Sequence, residues 1–125
     1  MQIIEHSIHP REEWRPGVLT RMRASAMTGM KHVCIFEQWC DPKNGAPTHK
    51  HPVEELLTVL DGEAEVWLEA QSARLKGGQS LRVPANTWHG FTNAGEATLH
   101  LEAVLGSGFF EAILEDQRVV RRWVS

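Results

Sequence analysis

The chain has 125 residues, 42% of them hydrophobic and 23% charged, with a net charge of -3 and an isoelectric point near 6.1. That is the size of one ordinary domain with one core, so a single domain over 1–125 is expected, and the mild acidity gives no electrostatic footprint for nucleic acid or an acidic membrane. The opening residues MQIIEHSIHPREEW bring charge early and no long apolar run, so neither a secretory signal nor a transmembrane helix is expected and the cytoplasm is the default location.

Taken in order, Gln2 to Ile8 alternates weakly and reads as a first edge strand that Pro10 stops. Arg11 to Gly17 reads as a polar loop, with Trp14 packing on the outside. Val18 to Ala26 is a strand of mixed faces ending at Thr28-Gly29. Lys31 to Cys40 is a stronger one: Cys34, Phe36, Gln38 and Cys40 share the face better suited to an interior, and Val33, Ile35, Glu37 and Trp39 share the other. Cys34 and Cys40, six apart on one strand, are about 20 Å apart and cannot pair, so two buried thiols in a reducing compartment are expected.

Asp41 to Gly45 is a turn cluster. Glu54 to Leu60, Asp61-Gly62 and Glu63 to Ala70 read as a hairpin, because Asp-Gly suits a two-residue type I′ turn. On its second arm Ala64, Val66, Leu68 and Ala70 are expected to point inward. Lys76-Gly77-Gly78 turns the chain into Gln79 to Val83. A turn at Pro84 leads to Trp88 to Thr92, Asn93 to Glu96 turns again, and Ala97 to Leu105 alternates apolar and polar. Phe109 to Leu114 is a last strand, and the tail from Glu115 to Ser125 is strand, short helix or frayed end. Many short strands spaced by Gly, Pro, Asn or Asp turns make the chain all-β, an antiparallel sandwich or small barrel.

Two stretches carry the chemistry. In Gly45 to Gly62, GAPTHKHPVEELLTVLDG, His49 and His51 leave the same face of an extended backbone, and Glu55 shares that parity beyond a bend at Pro52. In Gly78 to Asn93, GQSLRVPANTWHGFTN, His89 is the only histidine. Three imidazoles and one carboxylate are a ligand set for a divalent first-row metal. Phe91 shares the parity of His89 and is expected to line the cavity, while Trp88 is expected to pack outside. The remaining histidines, His6, His9, His32 and His100, have no comparable spacing, and His100 is expected on the exterior.

These two stretches resemble the motifs of the cupin family. His49, His51, Glu55 and Gly62 fit the first motif at every spacing, with the leading Gly45 two residues closer than usual. Gly78, Pro84, His89 and Asn93 fit the second, with Asn86 where the family has Gly, a position expected to keep positive φ. The resemblance implies a single cupin domain with metal motifs at 45–62 and 78–93, folded as a jelly-roll β-barrel of antiparallel strands. Its metal would be held by His49, His51, Glu55 and His89, projecting from one barrel wall and leaving about two octahedral positions open.

A small metal-dependent enzyme follows as the leading expectation. Dioxygenase chemistry is favoured, isomerisation and decarboxylation are further options, and Glu55 doubles as a catalytic base. A non-catalytic binding or sensing cupin is the alternative. The cofactor is one divalent transition metal per chain, among Fe, Ni, Zn, Mn and Cu. A pocket of Phe36, Gln38, Leu57, Val59 and Phe91, with Val66 and Leu68 as further apolar wall, points to a small, partly apolar organic ligand. Arg118, Arg121 and Arg122, interleaved with Val119, Val120 and Trp123, read as a solvated edge or dimer contact. A homodimer is expected, with no nucleic acid and no membrane as partner.

Overall fold

The computed structural model describes all of residues 1–125. Twelve strands follow in order: β1 Glu12–Arg15, β2 Val18–Ala24, β3 Cys34–Cys40, β4 Gly45–Lys50, β5 Glu55–Asp61, β6 Glu63–Leu68, β7 Gln71–Lys76, β8 Gln79–Val83, β9 His89–Asn93, β10 Leu99–Leu105, β11 Phe110–Leu114 and β12 Val119–Arg122. They form two six-stranded sheets, β1-β2-β3-β10-β5-β8 and β12-β11-β4-β9-β6-β7, facing one another as a jelly-roll barrel. No helix is long and apolar enough to cross a membrane.

The period-2 reading places the core. Cys34, Phe36 and Cys40 on β3, Leu57 and Val59 on β5, Ala64 and Val66 on β6, and Leu99, Leu101, Ala103 and Leu105 on β10 meet between the sheets. Cys34 and Cys40 are free and buried, and burial pushes both thiols up to about 12. Asn93, the last residue of β9, ties neighbouring segments together, its Nδ2 donating to Cys40 O at 2.9 Å and to Ala97 O at 2.8 Å.

The outer face of β3 is less apolar than its sequence suggests. Glu37 there has a side chain only 3% exposed, yet it receives Arg21 Nε at 3.2 Å, Arg23 Nη2 at 3.0 Å and His100 Nε2 at 2.8 Å. His100 does lie on this outer side, stacked on Trp39 with centroids 5.0 Å apart. Burial would raise the Glu37 carboxyl, but the Arg23, His100 and Arg21 contacts hold it down at about 2.

Three expectations are corrected, and one that was left open is decided. Gln2 to Ile8 is no strand: it contains only a 3₁₀ turn at His6–Ile8, with Ile3 and Ile8 exposed, because a weak alternation without a partner ladder has nothing to bury. Arg11 to Gly17 is not a free loop but contains β1, paired with β2. Its Trp14 turns inward, with ring centroids 4.9 Å from Phe110 and 5.5 Å from Phe36.

The third correction concerns Asp61-Gly62, which does not join two paired strands. β5 pairs with β10 and β8, whereas β6 pairs with β7 and β9 in the other sheet, so Gly62 at φ 97 is a corner between sheets. The dipeptide specifies a tight turn but not which partners the emerging strand will find. The hairpin lies one strand later, where Leu68 pairs with Gln71 across Glu69-Ala70 and Glu69 takes φ 54. Finally, the tail continues the sheet: β12 pairs with β11 from Val119 opposite Ile113 to Arg122 opposite Phe110.

Candidate metal centre

His49 on β4 stands opposite His89 on β9, their rings 4.3 Å apart. His51 lies just past the end of β4, its ring 4.8 Å from His49 and 5.2 Å from His89. Pro52 cannot extend the ladder, so the chain leaves this sheet and Glu55 opens β5 in the opposite one. The four groups therefore come from both walls of the barrel, not from one as the parity argument implied. Asn86 does take positive φ, at 60°, and its N–H donates to His51 O at 2.7 Å, so the turn after Pro84 pins the His51 segment.

Backbone carbonyls orient all three rings. His49 Nδ1 is 2.7 Å from Pro47 O, His51 Nδ1 is 2.7 Å from Glu111 O, and His89 Nδ1 is 2.8 Å from Thr87 O. A carbonyl only accepts, so the Nδ1 proton is assigned in each case and Nε2 is left to act as a lone pair. Ligand nitrogens of the three rings lie within 4.8 Å of one another.

Glu55, 4% exposed, places Oε1 at 2.9 Å from His89 Nε2 and 3.6 Å from His51 Nε2. A lone pair facing a carboxylate oxygen at that distance needs a positive particle shared between them, either a proton or a metal ion. His51 Nε2 is also buried without a hydrogen-bond partner. Three imidazole nitrogens and one carboxylate oxygen, oriented from behind and short of positive charge, fit a divalent transition metal.

The electrostatics agree with that fit. Burial would raise the Glu55 carboxyl, but His51 and His89 hold it well below the usual carboxylate range. Burial, assisted by the neighbouring His89 and His51, pushes His49 down to about 3. Burial also opposes charge on His51, yet the Glu55 carboxylate and the Glu111 carbonyl raise it above the ordinary imidazole value.

A family pattern described as the cupin domain matches residues 39–105, more than half of the chain and all four of these residues. The chain belongs to the cupin family. Among curated proteins it is similar to auxin-binding protein 1 of Arabidopsis thaliana, 27% identical over 101 residues that cover 73% of this chain and 51% of that protein. Auxin-binding protein T85 of Nicotiana tabacum is 28% identical over 87 residues, covering 62% and 46%. The chain thus spans about half the length of the curated relatives it matches.

Two solved structures illustrate the fold. The polyketide cyclase RemF from Streptomyces resistomycificus superposes with a TM-score of 0.75 at 19% identity over 100% of this chain and 87% of that one. An oxalate decarboxylase from Lactobacillus farciminis gives 0.79 at 15% identity, covering 88% and 34%. At these identities the likeness is one of fold alone.

The His-Glu centre of this cupin opens on a cavity of about 320 Å³, at the small end of the roughly 300–1,000 Å³ range of ligand pockets. Phe36, Gln38, Leu57 and Phe91 line it, and Gln38 is held by its Nε2 donating to Thr20 Oγ1 at 2.8 Å. Val59 does not. It shares the inward parity of Glu55 and Leu57 but lies about 13 Å along the strand from Glu55, in the closed half of the barrel. Val66 and Leu68 are likewise absent from the wall, which Ala103, Phe110 and Ala112 supply instead.

Sequence reasoning missed the polar side of this cavity. Arg15, Arg118 and Arg122 line it together with Trp14, which corrects the reading of the tail arginines as a solvated edge. The description still holds for Arg121, exposed and bonded to Glu111 at 2.5 Å, and for the outer part of Arg118, exposed beside Asp116, so Arg122 alone of the three departs from it in full. A signal was available: Arg118, Val120 and Arg122 share one parity, and all three line the cavity.

Proposed function

We propose that this cupin holds one divalent transition metal, among Fe, Ni, Zn, Mn and Cu, on His49, His51, Glu55 and His89. We propose further that it is a metal-dependent enzyme for a small, partly apolar organic molecule, with dioxygenase-type chemistry favoured. The observation that carries this is the arrangement of three imidazoles, each with Nδ1 committed to a carbonyl, around the Glu55 carboxylate beside a lined cavity. When bound, such a metal supplies a Lewis acid and, as iron, a redox centre for dioxygen.

The protein's own contribution is positioning. Phe36, Leu57, Phe91 and Phe110 hold the apolar part of a substrate and exclude water. Apart from the arginines, the titratable groups on the wall are the three histidines and Glu55, and the role of base is assigned to Glu55. Isomerisation and decarboxylation, which draw on a further acid or base, are less well supported by such a wall. The alternative is a binding or sensing cupin, favoured by the names of the two auxin-binding relatives.

A homodimer and a cytoplasmic setting complete the reading. The first is supported by Leu19, Leu56 and Leu60 exposed on one outer sheet face, the second by the two free thiols.

The test is elemental analysis of untagged protein reconstituted with each metal, followed by oxygen-uptake assays over a panel of small organic molecules. About one metal per chain with oxygen uptake above the metal-free control is expected. Stoichiometric metal with ligand binding but no turnover would select the sensing alternative, and no metal would overturn the site.

A further inference from the structure

Three buried side-chain nitrogens in the chain lack a hydrogen-bond partner, Trp14 Nε1, His51 Nε2 and Arg122 Nε, and all three belong to residues lining the one cavity. Buried polar groups are normally satisfied, so unsatisfied ones gathered round one space describe what that space is built to receive. They are of two kinds. His51 Nε2 is a lone pair and needs a cation, whereas Trp14 Nε1 and Arg122 Nε are N–H donors and need an acceptor.

The donor side is also short of negative charge. The Arg122 guanidinium lies over the Trp14 ring, 4.1 Å from its centroid, and Arg15 donates Nε to Gly45 O at 2.6 Å. Neither arginine has a carboxylate among the ion pairs of the chain, while Arg118 is paired with Asp116 at 3.5 Å. Burial, and then the neighbouring Arg122, pull the Arg15 guanidinium below its ordinary value, although the Cys40 sulfur acts the other way. Two guanidiniums share a partly buried wall whose one carboxylate, Glu55, is committed to His89 and His51.

We infer that the cavity takes a small organic acid, its carboxylate received by Arg122 and Arg15 and its apolar body lying on Phe36, Phe91 and Phe110. Its far end meets the His-Glu centre, a part that rests on the proposed metal reading. The polarity follows from the donors: the anion goes to the arginine end and not to the metal. A planar carboxylate matches the guanidinium fork, and the apolar wall and small volume suit a compact hydrocarbon body.

Calorimetric titration of zinc-loaded full-length protein with 3-phenylpropionate and hexanoate, each against its neutral primary amide, tests this. The acids should bind at least about tenfold more tightly than the amides, since a desolvated charged hydrogen bond is worth roughly 1.5–3 kcal/mol. Arg122→Gln and Arg15→Gln should each remove most of that preference while leaving amide affinity and zinc content unchanged. Arg122→Lys should retain part of it, and Arg121→Gln, outside the cavity, all of it.

Equal binding of acid and amide by the parent would overturn the inference. So would a preference that survives both Gln variants and vanishes on removing zinc, which would put the carboxylate on the metal. If the chain takes none of the five metals, the proposed function falls on that result alone, and the Arg-dependence of acid binding to the metal-free protein still decides this inference.

Discussion

Protons and the proposed metal would compete for the same three nitrogens, so the affinity of the centre should depend on pH. Glu55 and the Glu111 carbonyl overcome the burial of His51 and raise it above an ordinary imidazole. Metal binding needs it neutral, so affinity is complete above its raised pKa and begins to fall while the pH is still above about 6.5. Metal titrations between pH 8 and pH 5 check this. His49→Ala, His51→Ala and His89→Ala should each abolish stoichiometric metal, and Glu55→Gln should weaken it. Alanine at His6, His9, His32 or His100 should leave metal content unchanged.

Glu37 makes a second residue-level case, remote from the centre. Its carboxyl is depressed from the ordinary carboxyl value of about 4.5 to about 2, so the folded state binds fewer protons than the unfolded one between those values. The stabilisation is present above about pH 4.5 and is lost as the pH falls towards 2. Glu37→Gln should cost about 3 kcal/mol at pH 7, since it leaves Arg21 and Arg23 without their buried partner. In urea denaturation the parent should lose stability more steeply than the variant between pH 5 and pH 3.

At the level of elements, the approach of β4 to β9 sets how closely His49 can face His89. A Cβ on Gly45 would lie 2.1 Å from Phe91 O, and one on Gly90 would lie 2.4 Å from the Trp67 ring. The first obstacle is backbone and cannot rotate away. Gly45→Ala should therefore force β4 and β9 apart, lowering stability by about 2 kcal/mol or more and weakening metal binding together. Thermal melts and metal content on the same preparation check both. The turn at Asn86 should behave differently: Asn86→Gly is expected to be neutral, whereas Asn86→Val should cost on the order of 1 kcal/mol because a β-branched side chain resists φ of 60°.

For the whole molecule, the metal should act as a clamp between the two sheets, since β4 and β9 belong to one and β5 to the other. Binding to the folded state alone stabilises by about 2.7 kcal/mol at a hundredfold excess over Kd. A rise of several degrees in Tm with metal, absent in His89→Ala, is the expected result. Association belongs to the same scale. Of the terminal apolar segments only β12 offers a free strand edge, since β11 lies between β12 and β4 and Gln2 to Ile8 is not a strand. The outer-face leucines are the better contact, so sedimentation equilibrium at micromolar concentration should show a dimer that Leu56→Glu converts to monomer.

His49, His51, Glu55 and His89, the inward set on β3 and the positive φ of Asn86 were legible in the chain because each depends on local information: residue type, parity and short spacing. Phe36, Gln38, Leu57 and Phe91 followed from the same parity. Parity names a face but not a depth, which is why Val59 was placed in the cavity and lies below it. The crossing at Asp61-Gly62, the inward turn of Trp14 and the meeting of Arg15 with Arg122 depend on which strands find one another over long stretches of chain, more than a hundred residues for the two arginines. Pairing is chosen by the total area buried and the hydrogen bonds completed over the whole barrel, a sum that no local segment contains. The sequence alone picked out the candidate ligands; the tertiary structure decided that they face a cationic wall.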